Sequence, residues 1–232
     1  MSHKDQLRKQ RTNTVINEKS KREDKLCSKI VSFVKDDLEE EFGVKLVWEK
    51  KVFLVDIIEH LKKNFPNVPF ANPRDTSFMT PDGGITYIVD KHGNKFPLLI
   101  AEVKNQGTND ARAREGLKKQ PQGNAVERLG KNVIGFRTYM LTEGIFPFVC
   151  FGDGCDFEPD SSILDRVITV AMFGELGVDG TSNIGPNGIF NRGSYYFRSP
   201  YWTGEEMYDI LYDVGKRAIY YYFSKYGENS FR

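Results

Sequence analysis

Apolar residues recur at helical spacing between Asn17 and Phe42, where Leu26, Ile30, Phe33, Val34 and Leu38 share one face of a 3.6-residue repeat. The spacing predicts an amphipathic helix, and Gly43 stands where a left-handed residue ends one. Beyond it, VKLVWEK reads as a strand and LVDIIEHLKKNF as a short helix stopped by Pro66. A loop carrying Pro66, Pro69, Pro73 and Pro81 leads to two strands, ITYIVD and KFPLLIAEVK. They are joined by KHGN, in which Gly93 and Asn94 supply the turn chemistry. From Thr108 to Gln122 the chain is polar, broken at Pro121, and predicts no regular element. A long helix is expected from Asn124 to Glu143. FPFVCFG is apolar throughout, as a strand covered on both faces would be. SSILDRVITVAMFGELG predicts a helix with Ser161 or Ser162 as its N-cap, and residues 178–194 form a Gly- and Asn-rich loop. YYFRSPYW reads as a last or edge strand. TGEEMYDILYDVGKRAIYYYFSKYG closes the chain as a helix, with Thr203 and Glu206 as a capping box. This order predicts one α/β domain over residues 1–232, a central mixed β-sheet flanked by helices. Polar residues 1–15 are expected as a mobile basic arm.

Composition narrows the class. With 39% hydrophobic and 28% charged residues the chain is built to fold around a core. No apolar run approaches the roughly 20 residues that span a bilayer, and the first residues lack the apolar stretch of a secretion signal. No membrane partner is expected. Cys27, Cys150 and Cys155 make an odd, sparse set that fits a reducing compartment. Cys150 and Cys155 have neither a second cysteine pair nor a nearby histidine, so free thiols are expected rather than a zinc site. The net charge of +1 conceals two basic concentrations. One is Lys4, Arg8, Lys9, Arg11, Lys19, Lys21, Arg22 and Lys25. The other is Arg112, Arg114, Lys118, Lys119, Arg128, Lys131 and Arg137. Each is either a solvated surface or a footprint for phosphates.

The two-strand unit carries the chemistry. With its turn near Gly93, facing residues have numbers summing to about 185, which sets Asp82 opposite 102–104. Glu102 and Lys104 are two apart and leave one face of the strand. Two carboxylates with backbone oxygens suit a hard cation such as Mg2+. A lysine beside them could orient or deprotonate water, or stabilise charge on a phosphodiester. The alternative is a salt-bridged hairpin edge with Lys104 guarding against aggregation. A second motif, GNAVERLGKN, begins at Gly123 and opens a helix. Asn124 and Arg128, and Glu127 and Lys131, are i, i+4 neighbours. That pattern is either a cap with two helical pairs or a helix presented end-on to DNA, where its dipole favours phosphate and Asn bonds adenine.

Taken together, PDGG, LLIAEVKNQG and GNAVERLGKN resemble the EcoRI-like family of type II restriction endonucleases, over roughly residues 78–215. The resemblance implies a PD-(D/E)xK fold, a symmetric homodimer and Mg2+-dependent cleavage of both strands of a palindrome in double-stranded DNA. It assigns Asp82 and Glu102 as metal ligands with the Val103 carbonyl, and Lys104 as the catalytic lysine. Asn124, Ala125, Glu127 and Arg128 fall on readers of an inner AATT, with Gln106 and Gln122 beside them. Gly123, Lys131 and Asn132 fall on positions that touch the DNA backbone or the dimer partner. Gln120, Pro121 and Gln122 depart from the family pattern, which leaves the outer base pair open, with GAATTC as first choice. A host methyltransferase and a prokaryotic cytoplasmic setting are implied as well. Two other readings fit the same residues: a repair or structure-selective nuclease of this fold, and a DNA-binding protein without catalysis.

Overall fold

The computed structural model describes residues 14–105, 107–118, 123–159, 161–181, 184–185, 188–189 and 193–232. Most of the expected arm, together with Gln106 and Gln122, lies outside these residues. Thr14 and Val15, expected in the arm, are already helical: helix α1 runs Thr14–Phe42. It buries Cys27, Ile30, Val31, Val34, Leu38 and Phe42. Phe33, expected on that face, is instead half exposed, under the Lys29 ammonium. Gly43 ends the helix at φ +60°, its N–H donating to the Glu39 carbonyl at 3.0 Å.

Five strands form the central sheet, in the order β1 (Lys45–Glu49), β4 (Gly84–Val89), β5 (Lys95–Asn105), β6 (Phe148–Asp153), β9 (Ser194–Arg198). β1, β4 and β5 are antiparallel, whereas β6 and β9 join β5 in parallel. The expected mixed sheet is therefore present, and β9 is an edge. Helix α6 (Gly204–Tyr226) carries the expected capping box of Thr203 and Glu206 and packs against α1. Helix α4 (Gly123–Tyr139) packs against α5 (Ser162–Val170), whose N-cap is Ser161. Helix α2 (Leu54–Asn64) stops short of Pro66, as expected.

β5 decides where the site falls. Its first half pairs with β4 and its second half with β6, so from Glu102 onward the β4 side of β5 has no strand partner among the described residues. Pairing with β4 follows the expected sum of 185 from Gly84–Ala101 to Thr86–Leu99. It then jumps to Tyr87–Pro97, which leaves Leu98 as the extra residue of a bulge. The bulge shifts the alternation by one. Phe96 consequently packs on Tyr222 and Tyr226 of α6, while Glu102 reaches α4.

Five further features depart from the sequence reading, the first being that residues 178–194, read as a loop, hold β7 (Ile184–Gly185) paired with β8 (Gly188–Ile189). Residues 107–114 form a helix, α3 (Gly107–Arg114), where none was expected. It has no apolar stripe to signal it. It is held instead by Asn109, whose buried amide donates to the Asp156 carboxylate, and by the Asp110 carboxylate, which accepts from Cys155 N–H. The proline-bearing loop contains β3 (Phe78–Met79), paired with β2 (Val52–Phe53). Helix α4 ends at Tyr139, four residues early. Helix α5 ends before Met172 and Phe173, which adopt φ +54° and +58° and cannot continue it.

Candidate active site

The loop before β4 brings Asp82 to the open edge of β5. Gly83 N–H donates to the Ala101 carbonyl at 2.9 Å, continuing the ladder by one bond. Beyond it the Asp82 side chain takes the place of a strand: Oδ2 accepts from Val103 N–H at 3.3 Å. Close packing requires the two glycines here. A Cβ on Gly83 would stand 2.7 Å from the Ala101 side chain and 2.8 Å from Cys27 Sγ. Gly84 sits at φ +79° against the Trp48 ring, whose Nε1 donates to the Gly83 carbonyl at 2.9 Å.

Asp82, Glu102 and Lys104 meet as the sequence reading expects. Lys104 Nζ lies 3.2 Å from Asp82 Oδ2 and 3.2 Å from the Val103 carbonyl oxygen, and it contacts Glu102 Oε1 directly. Three oxygens from three residues thus converge on one ammonium. The Glu102 side chain is 1% exposed, Lys104 17% and Asp82 29%, so the cluster is buried at Glu102 and opens to solvent at Asp82. Glu102 Oε2 accepts from Asp82 N–H at 3.2 Å, and Oε1 accepts from Asn132 Nδ2 at 3.0 Å. Burial pushes the Glu102 carboxyl up from its usual range, with the Lys104 ammonium opposing and the Asp82 charge reinforcing. Burial pulls Lys104 down, but the Glu102 and Asp82 carboxylates outweigh it and hold the amine above its ordinary value. Lys104 is therefore an ammonium at neutral pH.

Helix α1 closes one side of the site, which the sequence reading did not anticipate. Ser28 Oγ donates to the Asp82 carbonyl at 3.0 Å, and Cys27 is buried against Gly83. Asp24, one turn before Ser28, feels both Asp82 and Lys104; burial first and Asp82 second raise its carboxyl. Only a tertiary contact links these residues, so no local pattern could have revealed them. Cys150, paired with Glu102 across the sheet, is a buried free thiol, as is Cys27.

The expected base-reading segment is the start of α4. Its N-terminus is Gly123, with Asn124 and Ala125 in the first turn. Glu127, Arg128 and Lys131 are exposed, whereas Val126, Leu129 and Val133 anchor the helix in the core. Beside Glu127 an open groove of about 410 Å3 runs between α4 and α5, lined by Val126, Gly130, Arg166, Thr169 and Val170. Asn132 lies apart from the exposed residues, half-buried and bonded to Glu102. Among the described residues no helix is long and apolar enough to cross a membrane.

Comparison with known proteins gives a consistent answer. The family described as "Restriction endonuclease EcoRI" matches residues 9–172, so the likeness begins well before residue 78. The type II restriction enzyme RsrI of Cereibacter sphaeroides is 30% identical over 212 residues, covering 77% of this chain and 75% of the relative. The type II restriction enzyme EcoRI of Escherichia coli is 27% identical over 244 residues, covering 88% of this chain and 87% of the relative.

Proposed function

The chain belongs to the EcoRI family of restriction endonucleases, and from that premise we propose how it cuts DNA. As a type II restriction enzyme it is a site-specific deoxyribonuclease acting on double-stranded DNA. The family generally needs a divalent metal. The proposed reaction is Mg2+-dependent hydrolysis of one phosphodiester on each strand of a short palindrome with an AATT core.

The observation that carries this reading is the convergence of Asp82 Oδ2, Glu102 Oε1 and the Val103 carbonyl on the Lys104 ammonium. A partly buried cation already stands where those oxygens meet. Two carboxylates and a carbonyl at an open strand edge are the oxygen-rich donor set that Mg2+ prefers, with room for water and phosphate. Asp82, Glu102 and the Val103 carbonyl would hold the ion. When bound, it supplies Lewis-acid stabilisation of charge growing on the scissile phosphate. The protein's own groups do the rest. Lys104, beside that ion, would orient or deprotonate the attacking water or donate hydrogen bonds to the phosphate oxygens. Ser28 and the Gly83–Ala101 bond keep the Asp82 loop in place. The apolar length of β5 buries the Glu102 end of the cluster, which strengthens the charge interactions there.

Recognition is assigned to the start of α4. Asn124 reads adenine, Glu127 and Arg128 contact further base edges, and Ala125, Gln106 and Gln122 line the same readout. The helix N-terminus at Gly123 favours phosphate, and Lys131 adds a backbone or cross-dimer contact. Cutting both strands of a palindrome asks for two sites about a two-fold axis, hence a homodimer. The basic residues of the N-terminal segment would add contacts to DNA phosphates. A cytoplasmic prokaryotic host needs a methyltransferase of the same specificity to protect its own DNA. The reading is tested by digesting a plasmid of known sequence and sequencing the fragment ends. Cuts at one palindrome containing AATT are expected; cuts at a site without AATT would overturn the assignment of Asn124 to Arg128.

A further inference from the structure

Among the described residues Glu102 accepts hydrogen bonds from Asp82 N–H, Lys104 Nζ and Asn132 Nδ2, and the last comes from outside the β4–β5 unit. That amide sits on α4, four residues after Arg128 and eight after Asn124. At 1.5 Å per residue the three positions follow one stripe of the helix at intervals of about 6 Å. The stripe assigned to base reading therefore ends on a buried carboxylate assigned to the metal. The helix touches the site's other arm too. Gly135, one turn further, is pressed against the Met79 side chain in β3, three residues ahead of Asp82. Val126, Leu129, Val133 and Phe136 are buried, so α4 is anchored in the core as one packed element.

A carboxylate that ligates a metal through one lone pair is oriented by hydrogen bonds to the others. The Asn132 donor is neutral, so it fixes Glu102 Oε1 without competing for the cation's place, as the ammonium does. We propose that Asn132 is a positioning residue that couples site recognition to cleavage, holding Glu102 in its metal-binding orientation only when α4 is correctly seated. The proposal rests on Glu102 being a metal ligand. It adds that the ligand is aimed by the helix that reads the bases, so a mismatched site that displaces α4 misorients Glu102 and slows cutting beyond what weaker binding explains.

Two variants test it. Asn132→Ala removes the donor, and Asn132→Leu removes it while keeping the bulk. Mn2+ affinity of the protein, followed by electron paramagnetic resonance, is expected to fall about 10–100-fold in both. Metal-free binding to a duplex carrying the mapped site is measured beside it, and is expected to fall by less than the Mn2+ affinity does. The ratio of cleavage rates on the mapped site and a one-base variant should also shrink toward the ratio of metal-free affinities. Unchanged Mn2+ affinity in Asn132→Leu would overturn the proposal. So would a loss confined to metal-free DNA binding, which would make Asn132 a backbone contact. Asp82→Asn on the same titration separates the two claims. If it leaves Mn2+ binding intact, the metal assignment fails; if it abolishes binding while Asn132→Leu does not weaken it, only the coupling fails.

Discussion

Replacing Lys104 with Met leaves Glu102 buried without its counter-charge, and the structure sets a ceiling on the cost. Removing one partner of a buried pair typically costs about 3–5 kcal/mol. Glu102 has an escape, however, because it can take up a proton. The cost at pH 7 then cannot exceed that of protonating a carboxyl of ordinary pKa, which at about 1.4 kcal/mol per pH unit is roughly 3 kcal/mol. The sign follows from the raised carboxyl. A folded pKa above the unfolded one contributes stability below the ordinary carboxylate range and loses it as pH rises toward the folded pKa. The deficit of Lys104→Met against the parent should therefore grow with pH, from about 1.5 kcal/mol at pH 5.5 to about 3 kcal/mol at pH 7. Adding Glu102→Gln removes the stranded charge, and the double variant should recover most of the loss at pH 7. Urea unfolding at the two pH values, at one protein concentration, measures this. An equal deficit at both values, or a double variant no more stable than the single one, would refute the reasoning.

Other consequences are quicker to check. Gly83→Ala drives a Cβ into Ala101 and Cys27, so it should cost about 1–3 kcal/mol and slow cleavage, and Cys27→Ala added to it should recover part of both. Thr203→Ala removes the cap of α6 and should cost about 1 kcal/mol in thermal or urea unfolding while leaving cleavage intact. Bonds from Arg198 and Thr203 hold the Glu206 carboxyl down at about 2, so its contribution to that cap is present above about pH 4.5 and fades as pH falls toward 2. Glu206→Gln should remove that acid dependence. Binding to the mapped duplex should weaken steeply between 50 and 200 mM salt if the basic clusters contact phosphates; a flat profile would return them to plain surface.

Much of this arrangement was legible because it is written in local pattern. The i, i+2 spacing of Glu102 and Lys104 and the register about Gly93 were enough to bring Asp82 opposite Val103, where it accepts that residue's N–H. The periodicity of α1, α4 and α6 and the unbroken apolar run of β6 gave the layers. What escaped depends on contacts between distant segments. Helix α3 is secured by one buried Asn–Asp pair and an Asp–amide bond, so it has no apolar stripe to read. The Leu98 bulge turns Glu102 toward α4, and alternation alone would have given the opposite face. The family resemblance set Asn132 at the DNA backbone or the dimer partner, and in the fold it donates to Glu102 thirty positions earlier in the chain. Ser28 and Asp24 likewise join the site only because α1 folds back across the loop at Asp82.

The central claim is that Asp82 and Glu102 hold a divalent ion with which this chain cuts DNA at one site. The measurement that bears on it most directly is linearisation of a single-site plasmid by the parent and by Glu102→Gln, each with Mg2+ and with EDTA. The account predicts cutting by the parent with Mg2+ alone, and a loss of at least about a hundredfold in Glu102→Gln while its binding to the duplex persists. Cutting that survives EDTA, or a Glu102→Gln variant as fast as the parent, would contradict it.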